Sequence, residues 1–238
     1  MKGKFVTCES KQGSMDIYVS RPHFNSDLPV VIVLQEAFGV NHHIRAVCDR
    51  LSDEGFIAAA PELFHREGRH LEVAYSDRDK IMSLLKKLTN DSILSDVRET
   101  INFLEREMGI DTRKMNTLGF CVGGFASTLC ATKLSVNKMV SFYGAGMVHS
   151  REGIGLKPII NSLKEIKSPC LFFYGEQDSS ISPEERELIK QKLKESKVKF
   201  EMKSFPSSGH GYFCDERGSY NAEDAKSSWD LLMSFFKN

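Results

Sequence analysis

Cys121 lies in Gly119-Phe120-Cys121-Val122-Gly123, a G-x-C-x-G run. A run of this kind forms a strand-turn-helix elbow, in which the residue between the glycines takes a strained backbone position and is presented to a reacting group. A thiol at a helix start meets the helix's partial positive charge, which favours the nucleophilic thiolate. Such a nucleophile needs a base and a group to orient it, and both follow in the order acid, then histidine. Asp178, in Gly175-Glu176-Gln177-Asp178, comes 57 residues after Cys121, and His210, in Ser208-Gly209-His210-Gly211, comes 32 residues later. The chemistry of this trio is acyl transfer: the thiolate attacks a carbonyl, and the imidazole moves protons. The competing readings are a buried structural cysteine, a turn aspartate and an exposed loop histidine, with Glu176 as the alternative acid. Order and placement together favour the catalytic reading.

The positions of these residues make sense only on a particular scaffold. Short runs rich in Val, Ile and Phe alternate with stretches of helical period, the pattern of a mostly parallel sheet flanked by helices. Residues 4–9 and 15–20 read as an antiparallel hairpin at a sheet edge. Strands follow at 30–35, 56–60, 115–120, 138–143, 169–174 and 198–205, about eight in all. Helices are expected at 44–54, 78–88, 92–108 (capped by Asp91 or Ser92), 122–133, 184–195 and 222–236. On this reading Cys121, Asp178 and His210 each follow a strand, at the sheet edge where α/β folds place ligands. The polar stretch 62–75 is expected to be a loop or short helix and a wall of the pocket. No repeat, low-complexity tract or linker divides the chain, so residues 1–238 are expected to form one α/β domain.

Composition narrows the function. The chain has 238 residues, 41% hydrophobic, with 32 basic against 32 acidic side chains. A net charge of zero gives no clustered attraction for nucleic acid or an anionic membrane surface. Apolar runs such as 30–34 fall far short of the roughly 18 to 20 residues that span a bilayer. No secretory signal is visible behind Met1, so a cytoplasmic location is expected. The six cysteines are scattered, without C-x-x-C pairs, and read as reduced thiols, five of them small buried hydrophobes. His42 and His43 read as solvated or helix-capping, and no metal site or cofactor is expected.

With these residues in hand, the chain resembles the dienelactone hydrolase family of α/β-hydrolases. The resemblance runs from about residue 30 to residue 236. It is carried by Gln35-Glu36-Ala37-Phe38-Gly39-Val40-Asn41, similar to the family's Q-E-x-F-G-V-N, and by Gly-Phe-Cys-Val-Gly-Gly at 119–124. It continues in Gly209-His210-Gly211-Tyr212-Phe213 and in Tyr220-Asn221-Ala222 with Trp229. The resemblance implies an α/β-hydrolase fold and hydrolysis of a small carboxylic ester or lactone without a cofactor. It also implies a catalytic set of Cys121 as nucleophile, His210 as base, Asp178 as orienter and Glu36 beside the thiol. Backbone amides of Ala37 and Val122 are expected to form the oxyanion hole.

One departure bears on substrate. Family members acting on dienelactone hold its carboxylate with arginines, one of them four residues after the catalytic histidine, and here that position is Cys214. Arg217 and Arg78 are candidates to replace the clamp, or else solvated surface charges. Phe38, Tyr143 and Phe213 are expected to make the pocket apolar. The alternative to a cysteine-dependent hydrolase is a non-catalytic or redox-responsive relative with an activated Cys121. A thiol peptidase is a weaker third reading. The expected partner is a small molecule, with oligomeric state left open.

Overall fold

The computed structural model describes residues 2–10, 13–22 and 28–238. Eight strands form one sheet: β1 (Lys4–Ser10), β2 (Gly13–Ser20), β3 (Val30–Leu34), β4 (Ile57–Pro61), β5 (Asn116–Phe120), β6 (Met139–Phe142), β7 (Cys170–Gly175) and β8 (Phe200–Phe205). Their order is β1-β2-β4-β3-β5-β6-β7-β8. The opening hairpin lies at the sheet edge as expected, pairing Lys4 with Val19 and docking antiparallel on β4, while β4 to β8 run parallel. Residues 11 and 12 of its connection lie outside the described residues. The inner strands β3, β5 and β6 are buried throughout because both faces are covered; β3 reads as a continuous apolar run, while β5 and β6 also bury Asn116, Thr117 and Ser141.

Six helices cover the sheet: α1 (His42–Asp53), α2 (Arg78–Lys87), α3 (Asn90–Arg106), α4 (Val122–Lys133), α5 (Pro183–Glu195) and α6 (Ala222–Lys237). The chain steps from β3 to β4 in one direction and from β5 to β6 in the other. Right-handed crossovers then put α1 on one face of the sheet and α4 on the opposite face. The reversal point lies between β3 and β5, where an open α/β sheet leaves a crevice at its C-terminal edge. No helix among the described residues is long and apolar enough to cross a membrane.

Local chemistry sets the element ends. The cap of α3 is Thr89 and not Asp91 or Ser92. The Thr89 hydroxyl accepts from the Ser92 amide at 3.1 Å, and the Ser92 hydroxyl accepts from the Thr89 amide at 3.0 Å. This reciprocal box satisfies two amides that a single Asp cap would leave to water. Within 62–75 only a short 3₁₀ turn forms, at His65–Glu67. Arg66 holds Asp96 of α3 through two bonds of 2.8 and 2.6 Å, and Arg69 holds Asp16 of β2. These ties draw the loop toward β2 and α3, away from the mouth of the elbow.

The elbow rests on close backbone approach. Cys121 has φ 55° and ψ −119°, a conformation that L-residues rarely adopt. A Cβ on Gly123 would lie 2.1 Å from the Leu34 carbonyl oxygen, and one on Gly119 would lie 1.8 Å from that of Gly123. Both neighbours are backbone, which cannot step aside as a flexible side chain would. Gly123→Ala is therefore expected to destabilise the protein by about 3 kcal/mol, at the upper end of overpacking costs. A urea midpoint unchanged from wild type would refute this account of the glycine.

Candidate active site

Each chemical group of the site is delivered by the C-terminal end of a parallel strand. Glu36 follows β3, Cys121 follows β5, Asp178 follows β7 and His210 follows β8. Cys121 is the residue before α4, and its thiol makes no capping bond to the helix. The Val122 amide, the first of α4, precedes the bonds that Gly124 and Phe125 give to the Cys121 carbonyl and stands at the positive end of the helix. Ala37 lies in the turn directly after Glu36.

The Asp178 side chain is fully buried and saturated. One carboxylate oxygen accepts the Ser180 amide at 2.7 Å, and the other faces His210 Nδ1 at 2.7 Å. A carboxylate can only accept, so Nδ1 carries the hydrogen and Nε2 is turned to Cys121. Glu176, the alternative acid, is exposed. Burial opposes a charge on His210, but its interactions with Cys121 and Asp178 outweigh it and push its pKa up to about 10. The ring of Tyr143 stands edge-on to His210 at 5.1 Å, which limits how the imidazole can turn.

Glu36 is also fully buried, and its charge is met by Arg217, with Nη1 to Oε1 at 3.1 Å. The guanidinium lies over the Phe38 ring at 5.3 Å. It fits because position 211 is glycine: a Cβ there would lie 2.0 Å from Arg217 Nη1. Burial opposes the Arg217 charge, and Glu36 is the foremost group that favours it.

Cys121, Val122 and His210 open into a cavity of about 170 Å³. Its other walls include Leu85, Ile154 and Leu156 on the apolar side and His149 and Arg151 on the polar side. Arg151 donates to the Ser180 carbonyl and lies 3.7 Å from Glu185. These residues were not singled out in the sequence. Leu85 comes from α2, and the signal that marks the others is their place in the long segment after β6, at the same sheet edge as the other groups.

The side chains expected to bind substrate are placed otherwise. Phe38, Tyr143 and Phe213 are at most 6% exposed, and none lines the cavity beside Cys121. Phe213 stacks on Phe120 at 5.3 Å, so this aromatic group supports the floor of the site. Arg78 is exposed at the start of α2 and outside the cavity wall, as is the loop 62–75. Arg217 is committed to Glu36. His43, read as solvated or capping, is only 4% exposed, because it shares the inner face of α1 with Val47 and Leu51. Burial lowers its pKa, against the opposing pull of Glu36. All six cysteines are free, and the five besides Cys121 are buried. Among the described residues, two groups could hold a metal ion: Glu36 with His43 and Cys214, and Asp16 with Glu62 and His70.

A nucleophile elbow after the central strand, with acid and histidine after later strands, is the arrangement of an α/β-hydrolase fold. Residues 15–238 match the Dienelactone hydrolase family, and the chain belongs to it. The chain is 34% identical over its whole length to a Synechocystis protein named "Putative carboxymethylenebutenolidase", covering 97% of that protein. A protein of the same name from Escherichia coli strain K12 is 34% identical, with 98% of this chain and 86% of the relative aligned. The crystal structure titled "Putative Dienelactone Hydrolase" from Klebsiella pneumoniae superposes with a TM-score of 0.91 at 31% identity, covering 99% of this chain and 98% of that one.

Two outcomes follow from the buried charges. Arg217→Met leaves the Glu36 carboxylate buried without its cation and is expected to lower stability by about 3 kcal/mol. Adding Glu36→Gln should restore most of the loss; a double variant as unstable as the single one would show that the pair is not the cause. For His210, the folded pKa of about 10 lies above the unfolded value of 6.5, so its contribution to stability is complete below pH 6.5. That contribution disappears as pH rises through about 10. Denaturation midpoints across this window should fall in wild type and change less in Asp178→Asn.

Proposed function

We propose that the chain hydrolyses small carboxylic esters or lactones through a thioester on Cys121. The observation that carries this reading is a cysteine held at φ 55° at a helix start, sharing a cavity wall with a histidine that is itself 2.7 Å from a buried aspartate. Family membership and the carboxymethylenebutenolidase names of its relatives support the substrate class, since a butenolide is a lactone.

In this reading the Cys121 sulfur attacks the carbonyl carbon, and the oxygen takes up the displaced electron pair. The Val122 and Ala37 amides donate to that oxyanion, each preorganised donor contributing about 3 kcal/mol of transition-state stabilisation. When the carbonyl re-forms, the carbon–oxygen ester bond breaks and the imidazolium of His210 gives its proton to the leaving alkoxide. For a lactone that alkoxide remains tethered to the acyl group. His210 then takes a proton from water, whose oxygen attacks the thioester and releases the acid and the thiolate. Asp178 keeps the imidazole in the tautomer both steps require. Where Cys121 rests as the thiol, Glu36, held by Arg217, receives its proton when substrate enters and passes it to His210, so this one proton forms the imidazolium that later protonates the alkoxide. The cavity of about 170 Å³ suits a small acyl group, and it favours compact esters and lactones over an extended peptide.

The test is hydrolysis of a short-chain p-nitrophenyl ester and of a carboxylated lactone, from about pH 5 to about pH 9. Cys121→Ala is expected to lower turnover at least about a thousandfold, the scale on which loss of a nucleophile is felt. Mass spectrometry of quenched wild type should show one acyl group on the tryptic peptide that contains Cys121. A variant that keeps the wild-type rate would overturn the mechanism.

A further inference from the structure

Glu36 is satisfied on one oxygen only. Arg217 meets Oε1, while Oε2 is buried without any hydrogen-bond partner. His43 packs nearby, and its Nε2 is also buried and unpartnered. Cys214, 0% exposed, completes the group. A carboxylate oxygen of Glu36, a ring nitrogen of His43 and the Cys214 sulfur all lie within 4.8 Å of one another. Each unmet buried polar atom costs about 1 to 3 kcal/mol, so two of them facing one small volume call for a common partner. The reaction proposed above uses neither His43 nor Cys214.

We propose that Glu36, His43 and Cys214 bind one borderline-soft divalent metal ion of the zinc type. Carboxylate oxygen, imidazole nitrogen and thiolate sulfur are the donors such ions prefer, and three protein ligands leave a fourth tetrahedral position for water. Mg²⁺ and Ca²⁺ are disfavoured, because they seek oxygen ligands throughout. Bonds of about 2.0 to 2.3 Å require the three donors to draw together around the ion, a movement within reach of side-chain rotation. On binding, the Cys214 S–H bond breaks, sulfur forms the metal bond and the proton leaves to solvent. The Glu36 and Cys214 charges offset the ion, leaving one net positive charge when Arg217 is counted, and no redox change is involved.

The surroundings fit this use. The Tyr75 hydroxyl lies 3.4 Å from the Cys214 sulfur and gives its one hydrogen to Glu216, so the Cys214 S–H is the donor of that contact until a metal takes its place. Asp215 lies 3.8 Å from His43 Nδ1, an ion-pair distance that a small side-chain shift would close to the hydrogen bond by which an outer carboxylate orients a metal-bound histidine. A second cavity of about 200 Å³ is lined by His43, Asp215, Arg50 and Trp229 and gives an approach that does not pass Cys121. The consequence for activity rests on the hydrolase reading: a metal-bound Glu36 is withdrawn from the Cys121 thiol, so the ion acts as a reversible inhibitor.

The experiment titrates metal-free full-length protein with Co²⁺ as a spectroscopic probe and with Zn²⁺ in competition. One Co²⁺ per chain is expected, with tetrahedral visible bands and a thiolate-to-cobalt charge-transfer band that Zn²⁺ removes. Cys214→Ser should lose the charge-transfer band, and both it and His43→Gln should weaken binding at least about tenfold, the minimum loss seen even for an outer-shell partner. Cys121→Ser should keep both the band and the affinity. No stoichiometric uptake by wild type, or a band that vanishes with Cys121 and survives without Cys214, would overturn the site. Ester hydrolysis supplies a separate readout, with each protein compared with its own metal-free rate. Zn²⁺ should inhibit wild type reversibly by chelator and leave Cys214→Ser uninhibited. Cobalt binding as described without inhibition would uphold the site and overturn its link to Glu36 chemistry.

Discussion

The close approach of α4 to the ends of β3 and β5 is the constraint on which the rest of the site depends. The Gly123 backbone lies so near the Leu34 carbonyl that no side chain fits between them. That proximity lets the chain reverse from strand to helix in a single residue and holds Cys121 at positive φ. Isolated residues in such conformations cost about 1 to 3 kcal/mol, and here buried structure on both sides sustains the strain. The Cys121 amide is bound to the Phe142 carbonyl at 3.0 Å, and the Gly124 carbonyl accepts from Ser141 at 3.0 Å. Through these bonds β6 fixes the elbow from the side opposite β3.

Around this fixed point the protein sets two buried carboxylates, each with its own cation. Asp178 faces the His210 imidazole, and Glu36 faces the Arg217 guanidinium. Both carboxylates are fully buried, so each cation partner is required where a surface pair would be optional. The two pairs differ in mobility of charge. Arg217 keeps its proton at any pH the fold survives, whereas His210 can release one, which suits the first to structure and the second to proton transfer. Their arrival at one place is a result of topology, since all four groups follow strands on the same edge of the sheet.

The fold was largely legible in the residues. Val30–Leu34 and Cys170–Gly175 announce buried strands through apolar runs, and the elbow glycines mark the turn through their missing side chains. The order Cys121, Asp178, His210 was readable because strand-end motifs are local in sequence even when their side chains meet at long range. The edges of elements were read less well where a cap depends on a reciprocal bond, as at Thr89. The substrate-facing residues were read least well. Aromatic type near a catalytic motif does not distinguish a wall from a floor, and Phe38, Tyr143 and Phe213 are buried in packing.

By itself, then, the sequence determined the α/β architecture, the elbow and the identity of the groups that follow each strand. Those properties rest on backbone sterics and hydrophobic periodicity, which act over a few residues. Tertiary structure alone decided which charges are paired. Arg217 meets Glu36 across 181 positions, and Cys214 meets Glu36 and His43 from far along the chain. It also decided that the cavity wall comes from the segment after β6, including His149 and Arg151. The physical reason is that ion pairing and donor clustering depend on distances of a few ångströms between side chains far apart in the chain, and only the packed sheet and helices set those distances.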